Sequence, residues 1–307
     1  MDCVAFEDAA IAAYPTRSAW DASAAEIVGT MLDRWHLTAG EAYVGGEAAS
    51  VLRVTTRDGT PAVLKVGFPH VEGVAEALGL ESWGPALSPR VLRQDPWTWS
   101  LLLDHVEPGI PLSTAGVDAA AALDIAAGLF SRLTACAIPA GVPTLPSIVG
   151  DYLASARERL RTQHAELAGL GIVELVERGL DDAADLARSD RGEFFLHGDF
   201  NPGNILSAGA DRWLVIDPKP MRGDREFDLW PLVEQLGSPW TRTDPAAALA
   251  AQLRRVTDAV GCDYERAARW SFARAALNVS WYVDDGNHDA AATAAAELRV
   301  VERISAP

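Results

Sequence analysis

Among the residues able to do chemistry, Asp199, Asn204 and Asp217 share one stretch, "HGDFNPGNILSAGADRWLVIDP". "NILS" and "WLVID" are apolar, strand-like runs separated by the Gly-containing turn "AGAD". An antiparallel hairpin centred near residues 210 and 211 sets Asn204 opposite Asp217, two oxygen ligands side by side at its open end. A hard cation such as Mg²⁺ takes a few protein oxygens and keeps its other positions for water and phosphate. Asp199 precedes Asn204 across a bend at Pro202 and Gly203. From there its carboxylate can orient a substrate hydroxyl and accept its proton, while His197 braces the loop. Asp, Asn and Asp around the γ-phosphate of ATP are a minimal set for phosphoryl transfer, which proceeds mostly by positioning and charge neutralisation.

The elements that must position this stretch follow from periodicity. Residues 18–36 carry apolar side chains at helical spacing, with Ser23 and Glu26 in a capping-box arrangement. "SVLRVTTRDGTPAVLKVGF" predicts two strands joined at Asp58-Gly59. A short helix is expected over 72–84, then two strands around the Asp-Pro turn of "RVLRQDPWTWSLLLDHV". Beyond "EPGIPL" the pattern turns helical, with helices expected over 117–136, near 147–168 and over 172–188. The fold class is therefore α+β, with a β-rich N-terminal lobe over 1–106, including a helical leader over 1–39. A larger, mainly helical C-terminal lobe spans 107–307.

Composition narrows the partners. The formal charge is −17, from 43 acidic and 26 basic residues. Such a field disfavours nucleic acid and attracts a small cationic molecule. No apolar run approaches the roughly 20 residues of a membrane span. Cys3, Cys136 and Cys262 are scattered, as reduced thiols in a cytoplasmic protein would be. Of the 26 basic residues only Lys65 and Lys219 are lysines. In a chain whose habit is arginine, a retained lysine points to a need for a compact ammonium.

"HGDFNPGNIL" with "WLVIDP", then "KPMRGDREFDLWP" and "SWYVDDG", resemble the aminoglycoside 6-phosphotransferase and hydroxyurea phosphotransferase family of the protein-kinase-like fold. The similarity runs from about residue 40 to 286 and implies a bilobal phosphotransferase using ATP and Mg²⁺. Its acceptor would be a hydroxyl on a small cationic molecule, a streptomycin-like aminoglycoside first, with hydroxyurea or a metabolic sugar or amino sugar as alternatives. Carried over by motif, Asp199 is the catalytic base, Asn204 and Asp217 are the magnesium ligands, and His197 is a brace. Asp228 in "REFDLW" corresponds to a buried aspartate holding the catalytic loop, and capping of the following helix is a second role compatible with the first.

On the nucleotide side, Lys65 in "AVLKV" matches the lysine that contacts the α- and β-phosphates. Its carboxylate partner is Glu72 or Glu76, which share a helix face. The resemblance leans to Glu76, with Glu81 third. Gly45, Gly46 and Ser50 in "VGGEAAS" stand at the phosphate loop, which is not a full G-x-G-x-x-G. The Asp104 carbonyl and Val106 amide would take the adenine edge, and Lys219 a nearby phosphate or carboxylate. Asp284 and Asp285, with Trp281 beside them and Glu234 as a further candidate, would bind an acceptor cation. The expected assembly is a monomer or weak dimer. A kinase-like binding module without catalysis is the reading from another class, and it requires the loss of a residue that this chain retains.

Overall fold

A computed structural model of the chain describes residues 11, 13, 16–43, 49–70, 73–209, 211–284 and 288–305, the side chains of 280, 281, 283 and 284 excepted. The chain forms two compact units. One comprises Met1–Ile110 with Leu206–Pro220, the other Pro111–Ile205 with Met221–Pro307.

The first unit is built on a five-stranded antiparallel sheet of β1 (Thr38–Ala42), β2 (Ala49–Thr55), β3 (Pro61–Gly67), β4 (Val91–Asp95) and β5 (Ser100–Asp104). Its spatial order is β1-β2-β3-β5-β4. Gly59, at φ 86°, makes the β2–β3 turn as Asp58-Gly59 predicts. Strand alternation then separates two apolar faces. Ala62, Leu64 and Val66 of β3 bury against Trp20 and Met31 of helix α1 (Arg17–Trp35). On the opposite face Val63 packs with Leu80, Leu101 and Leu103, Leu80 belonging to helix α2 (Glu76–Trp83). Lys65 shares the parity of Val63, so the two-residue repeat of β3 turns it towards α2.

Two local expectations change. The cap of helix α1 lies seven residues before the predicted one. Thr16 accepts from Ala19 N–H at 3.2 Å, leaving Ser23 inside the helix because the buried positions Trp20 and Ala24 extend the apolar face upstream. Helix α2 starts at Glu76 rather than at 72.

The chain returns to this first unit through a short hairpin, β7 (Ile205–Ser207) with β8 (Trp213–Val215). Backbone bonds from Gly109 N to Ser207 O (3.0 Å), Ser207 N to Ile110 O (2.9 Å) and Val215 N to Leu87 O (2.8 Å) attach it to the segments after β5 and α2.

The second unit is mainly helical, and several of its longer helices have a sequence-local start. Asp118, Thr144 and Asp244 cap α3 (Ala119–Thr134), α4 (Leu145–Thr162) and α8 (Pro245–Val260). Between them lie α5 (His164–Gly169), α6 (Val173–Arg188) and α7 (Leu229–Gln235), with α9 (Tyr264–Asp284) and α10 (His288–Ser305) following α8. A two-stranded ladder pairs β6 (Phe194–Leu196) with β9 (Met221–Gly223), Leu196 facing Met221. Phe130, Phe200, Phe227, Trp230 and Trp270 are fully buried in this unit. Helices α6 and α9 approach so closely at Gly179 that a Cβ there would stand 2.2 Å from Ala276 Cβ. Among the described residues no helix is long and apolar enough to cross a membrane.

Candidate active site

In the first unit one ammonium serves two carboxylates. Lys65 Nζ lies 2.6 and 2.7 Å from the two Glu76 oxygens and 2.5 Å from Asp217 Oδ1. The Lys65 and Glu76 side chains are only 12% and 14% exposed, whereas Asp217 is 54% exposed. Burial alone would pull Lys65 down, but the Glu76 and Asp217 charges outweigh it and hold its ammonium above the ordinary lysine value. Burial pushes Glu76 up, with Lys65 opposing and the Asp217 charge adding to the push. The rise of Lys65 thus follows from two anions sharing one cation, and that of Glu76 chiefly from burial.

A second contact joins the same two segments. Gly79, one turn beyond Glu76, is so near Pro220 that an added Cβ would stand 2.8 Å from its Cγ. Glu81 is exposed on α2, and Glu72 lies outside the described residues, as do Gly45 and Gly46. Ser50 is half-buried on β2 opposite Val66, and Lys219 is half-buried. The Asp104 carboxylate accepts from Arg90 Nε at 2.6 Å and Nη2 at 3.3 Å. The Val106 amide has no acceptor among the described residues.

In the second unit Asp228 organises the loop after β6. Its buried carboxylate accepts from His197 N (2.7 Å) and Gly198 N (2.9 Å). It makes no side-chain cap on α7, so of the two roles read from the sequence its carboxylate is spent on the loop. Burial pushes Asp228 up to about 6, against the opposing pull of Arg274 and the two amides. Gly198 sits at φ 81°, a conformation that favours glycine. His197 is buried edge-on to Phe200, and its Nδ1 accepts from Asp199 N at 3.3 Å. The Asp199 carboxylate is thus carried on a loop whose backbone is held by two buried side chains.

Asn201 is one residue that sequence reasoning missed. Its Nδ2 donates to Asp199 Oδ1 at 3.1 Å, and its Oδ1 accepts from Gly203 N (2.9 Å) and Asn204 N (3.1 Å). The Asn-Pro-Gly sequence was the available signal, because an Asn before such a bend closes on the backbone two or three residues on. This closure draws Asn204 into a 3₁₀ turn, Pro202–Asn204, while Asp217 adopts φ 54° beyond β8. Neither residue therefore lies in the β7–β8 ladder, which corrects the cross-strand pairing inferred from the hairpin. Asn204 instead donates its Nδ2 to Asp199 O at 3.0 Å. Glu234, half-buried on α7, is pushed up to about 7 by burial, with Arg274 opposing and Glu297 and Asp199 adding to the rise. Arg274 and Glu297 also went unread in the sequence. Asp285 lies outside the described residues, and Trp281 and Asp284 occupy α9 without described side chains.

Among the described residues no three His, Cys, Asp or Glu side chains converge on one point. The exposed Asp217 carboxylate offers oxygen alone, the donor chemistry of a hard cation that retains water and phosphate ligands.

An antiparallel sheet carrying a Lys–Glu pair, and a helical unit holding an H-x-D-x-x-x-x-N loop on a buried aspartate, define a phosphotransferase of the protein-kinase-like fold. The fold is shared with a thermostable mutant of an aminoglycoside phosphotransferase solved in ternary complex with AMP-PNP and hygromycin B. That likeness has a TM-score of 0.63 at 17% identity, over 91% of this chain and 98% of the other. The chain belongs to the aminoglycoside/hydroxyurea antibiotic resistance kinase family, whose profile matches residues 34–286. It is 35% identical to a streptomycin 6-kinase of Streptomyces glaucescens over 92% of this chain and 91% of that protein. It is 34% identical to a hydroxyurea phosphotransferase of Kitasatospora aureofaciens over 84% and 73% of the two.

Proposed function

We propose that the protein transfers the γ-phosphoryl group of ATP to a hydroxyl of a streptomycin-like aminoglycoside. The observation that carries this reading is the pairing of Lys65 with Glu76 and Asp217, together with an Asp199 carboxylate whose loop is clamped by Asp228. In this reading the N-terminal lobe, residues 1–106, binds nucleotide, and residues 107–307 supply catalysis and the acceptor pocket. Lys65 binds the α- and β-phosphates and Glu76 fixes its ammonium. Gly45, Gly46 and Ser50 face the phosphates, and the Asp104 carbonyl and Val106 amide face the adenine. Asp199 orients the acceptor hydroxyl and takes its proton as that oxygen bonds to the γ-phosphorus. The bond from the γ-phosphorus to the bridging oxygen breaks, and ADP carries away its electron pair. Mg²⁺, held by Asn204 and Asp217, would neutralise the developing phosphate charge. Lys65, Glu76 and Asp217 together leave one surplus negative charge, a setting that accepts a cation.

The acceptor follows from the relatives and from charge. Glu234, with Glu297 and Asp199 acting on it, lends negative potential that favours a cationic acceptor over neutral hydroxyurea. Trp281, Asp284 and Asp285 complete this proposed cation-binding region. The second reading is hydroxyurea phosphorylation, favoured by the 34% identity to a hydroxyurea phosphotransferase. A cytoplasmic monomer or weak dimer fits either. An ATP-consumption screen over aminoglycosides, hydroxyurea and amino sugars separates them. Turnover of streptomycin is the expected result, and turnover of a simple sugar with no aminoglycoside active would overturn the choice of acceptor.

A further inference from the structure

Beside the segment that follows β5 lies a string of side chains to which the reaction gives no role. Tyr43 Oη stands 2.9 Å from His105 Nε2. His105 Nδ1 lies 3.2 Å from Glu107 Oε1, whose carboxylate also faces Arg53 Nη2 at 3.9 Å. The imidazole is only 12% exposed. Its Nδ1 makes no hydrogen bond, so the contact with Glu107 is a charge–dipole attraction. A carboxylate at Nδ1 still favours the tautomer protonated there, which leaves Nε2 to accept the Tyr43 hydroxyl.

The flanking residue is held from the segment just before β4. Arg90 takes the Asp104 carboxylate through two nitrogens, and its backbone oxygen accepts Asp104 N–H at 3.0 Å. Asp104, His105 and Glu107 are thus all engaged through their side chains, while the Val106 amide between them has no acceptor among the described residues.

We infer that Tyr43 and His105 are positioning residues for the nucleotide base, fixing the main chain over 104–106 so that a carbonyl and an amide meet a purine edge. This rests on the ATP reading above. The physical reason is directional. A hydrogen bond weakens steeply as its angle falls towards about 120°, and a short connector whose side chains are untethered can rotate its peptide planes that far. Tyr43 immediately follows β1, and its own amide bonds Val51 O of β2 at 2.9 Å. The sheet edge, rather than the connector alone, therefore sets the orientation.

Calorimetric titration of Tyr43→Phe with ATP, adenosine and inorganic tripolyphosphate tests the assignment. Loss of one hydrogen bond of ordinary net strength predicts about 3–10-fold weaker adenosine and ATP binding. Tripolyphosphate affinity should stay within about 2-fold, Tm should be unchanged, and kcat should be retained at saturating ATP. His105→Gln, whose amide oxygen still accepts from Tyr43, should keep more adenosine affinity than His105→Leu. Adenosine binding within about 2-fold of wild type in Tyr43→Phe would overturn the inference alone. Equal loss of tripolyphosphate would overturn it too, by moving the role to the phosphates. A wild-type protein that bound no ATP would remove the phosphotransferase reading itself.

Discussion

Replacing Gly79 by Ala sets two physical effects of opposite sign against each other. In a helix interior the change normally stabilises by about 1 kcal/mol, because glycine loses more backbone freedom on folding. In α2, however, the new carbon would stand 2.8 Å from Pro220 Cγ, 3.0 Å from Pro220 Cβ and 3.3 Å from Trp83 Cζ3. Carbon atoms rest at about 3.5–4.0 Å, so the Pro220 segment or the helix must give by roughly 1 Å. Overpacking of this kind costs about 1–3 kcal/mol, which cancels or exceeds the helix gain. The displacement acts along a lever, since Glu76 is one turn from Gly79 and Asp217 three residues from Pro220. The Lys65 bonds at 2.5–2.7 Å are the contacts it would stretch.

The expected outcome for Gly79→Ala is a Tm unchanged or lowered by a few degrees, with the KM for ATP raised several-fold. Gly29→Ala provides the contrast, because nothing lies within 4 Å of a Cβ at that position in α1. That variant should gain up to about 1 kcal/mol from helix propensity and leave kinetics unchanged. Calorimetric Tm and steady-state kinetics on the pair decide the matter. If Gly79→Ala were stabilised as much as Gly29→Ala, with ATP kinetics intact, the argument that Pro220 meters the position of α2 would fail.

Asp199→Ala should lower kcat by about 10²–10⁴-fold while ATP affinity measured by titration stays near wild type; turnover within a few-fold would remove Asp199 from the base role. Asp228→Asn places an amide N–H₂ against one of the two loop amides, costing about 1–3 kcal/mol, and should lower Tm and kcat more than it changes the KM for ATP. Glu234 carries its folded value near 7, above an unfolded value of about 4.3. Its stabilising contribution is therefore complete below about pH 4 and lost as pH rises through about 7. Glu234→Gln should flatten this part of the stability–pH curve and be relatively more stable than wild type at pH 8. If Glu234 meets an acceptor cation, wild-type KM for that acceptor falls as pH rises through 7, and the Gln variant lacks this inflection.

Much of the architecture was legible because its signals are local. Asp58-Gly59 marks a turn, β3 alternates, and α3 and α8 each begin at a capping Asp. The same alternation placed Lys65 opposite the face buried by Ala62, Leu64 and Val66. Local signals also misled. Ser23 and Glu26 have capping-box spacing inside a helix, because the burial of Trp20 depends on the sheet beneath it and not on nearby residues. The hairpin count placed Asn204 in a strand, although the Asn201 side chain closes a 3₁₀ turn there.

By itself, then, the sequence determined the reactive residue types, their spacing around a Pro-Gly bend, and the strand carrying Lys65, all of which depend on repeats and turns spanning a few residues. Tertiary structure decided that Glu76 meets Lys65 and that Asp228 spends its carboxylate on two amides about thirty residues away. It also decided that residues 206–220 return to the sheet-bearing unit through bonds to Leu87, Gly109 and Ile110. Such distant pairings are selected by burial and by satisfaction of backbone groups across the folded chain, and no local pattern encodes that balance.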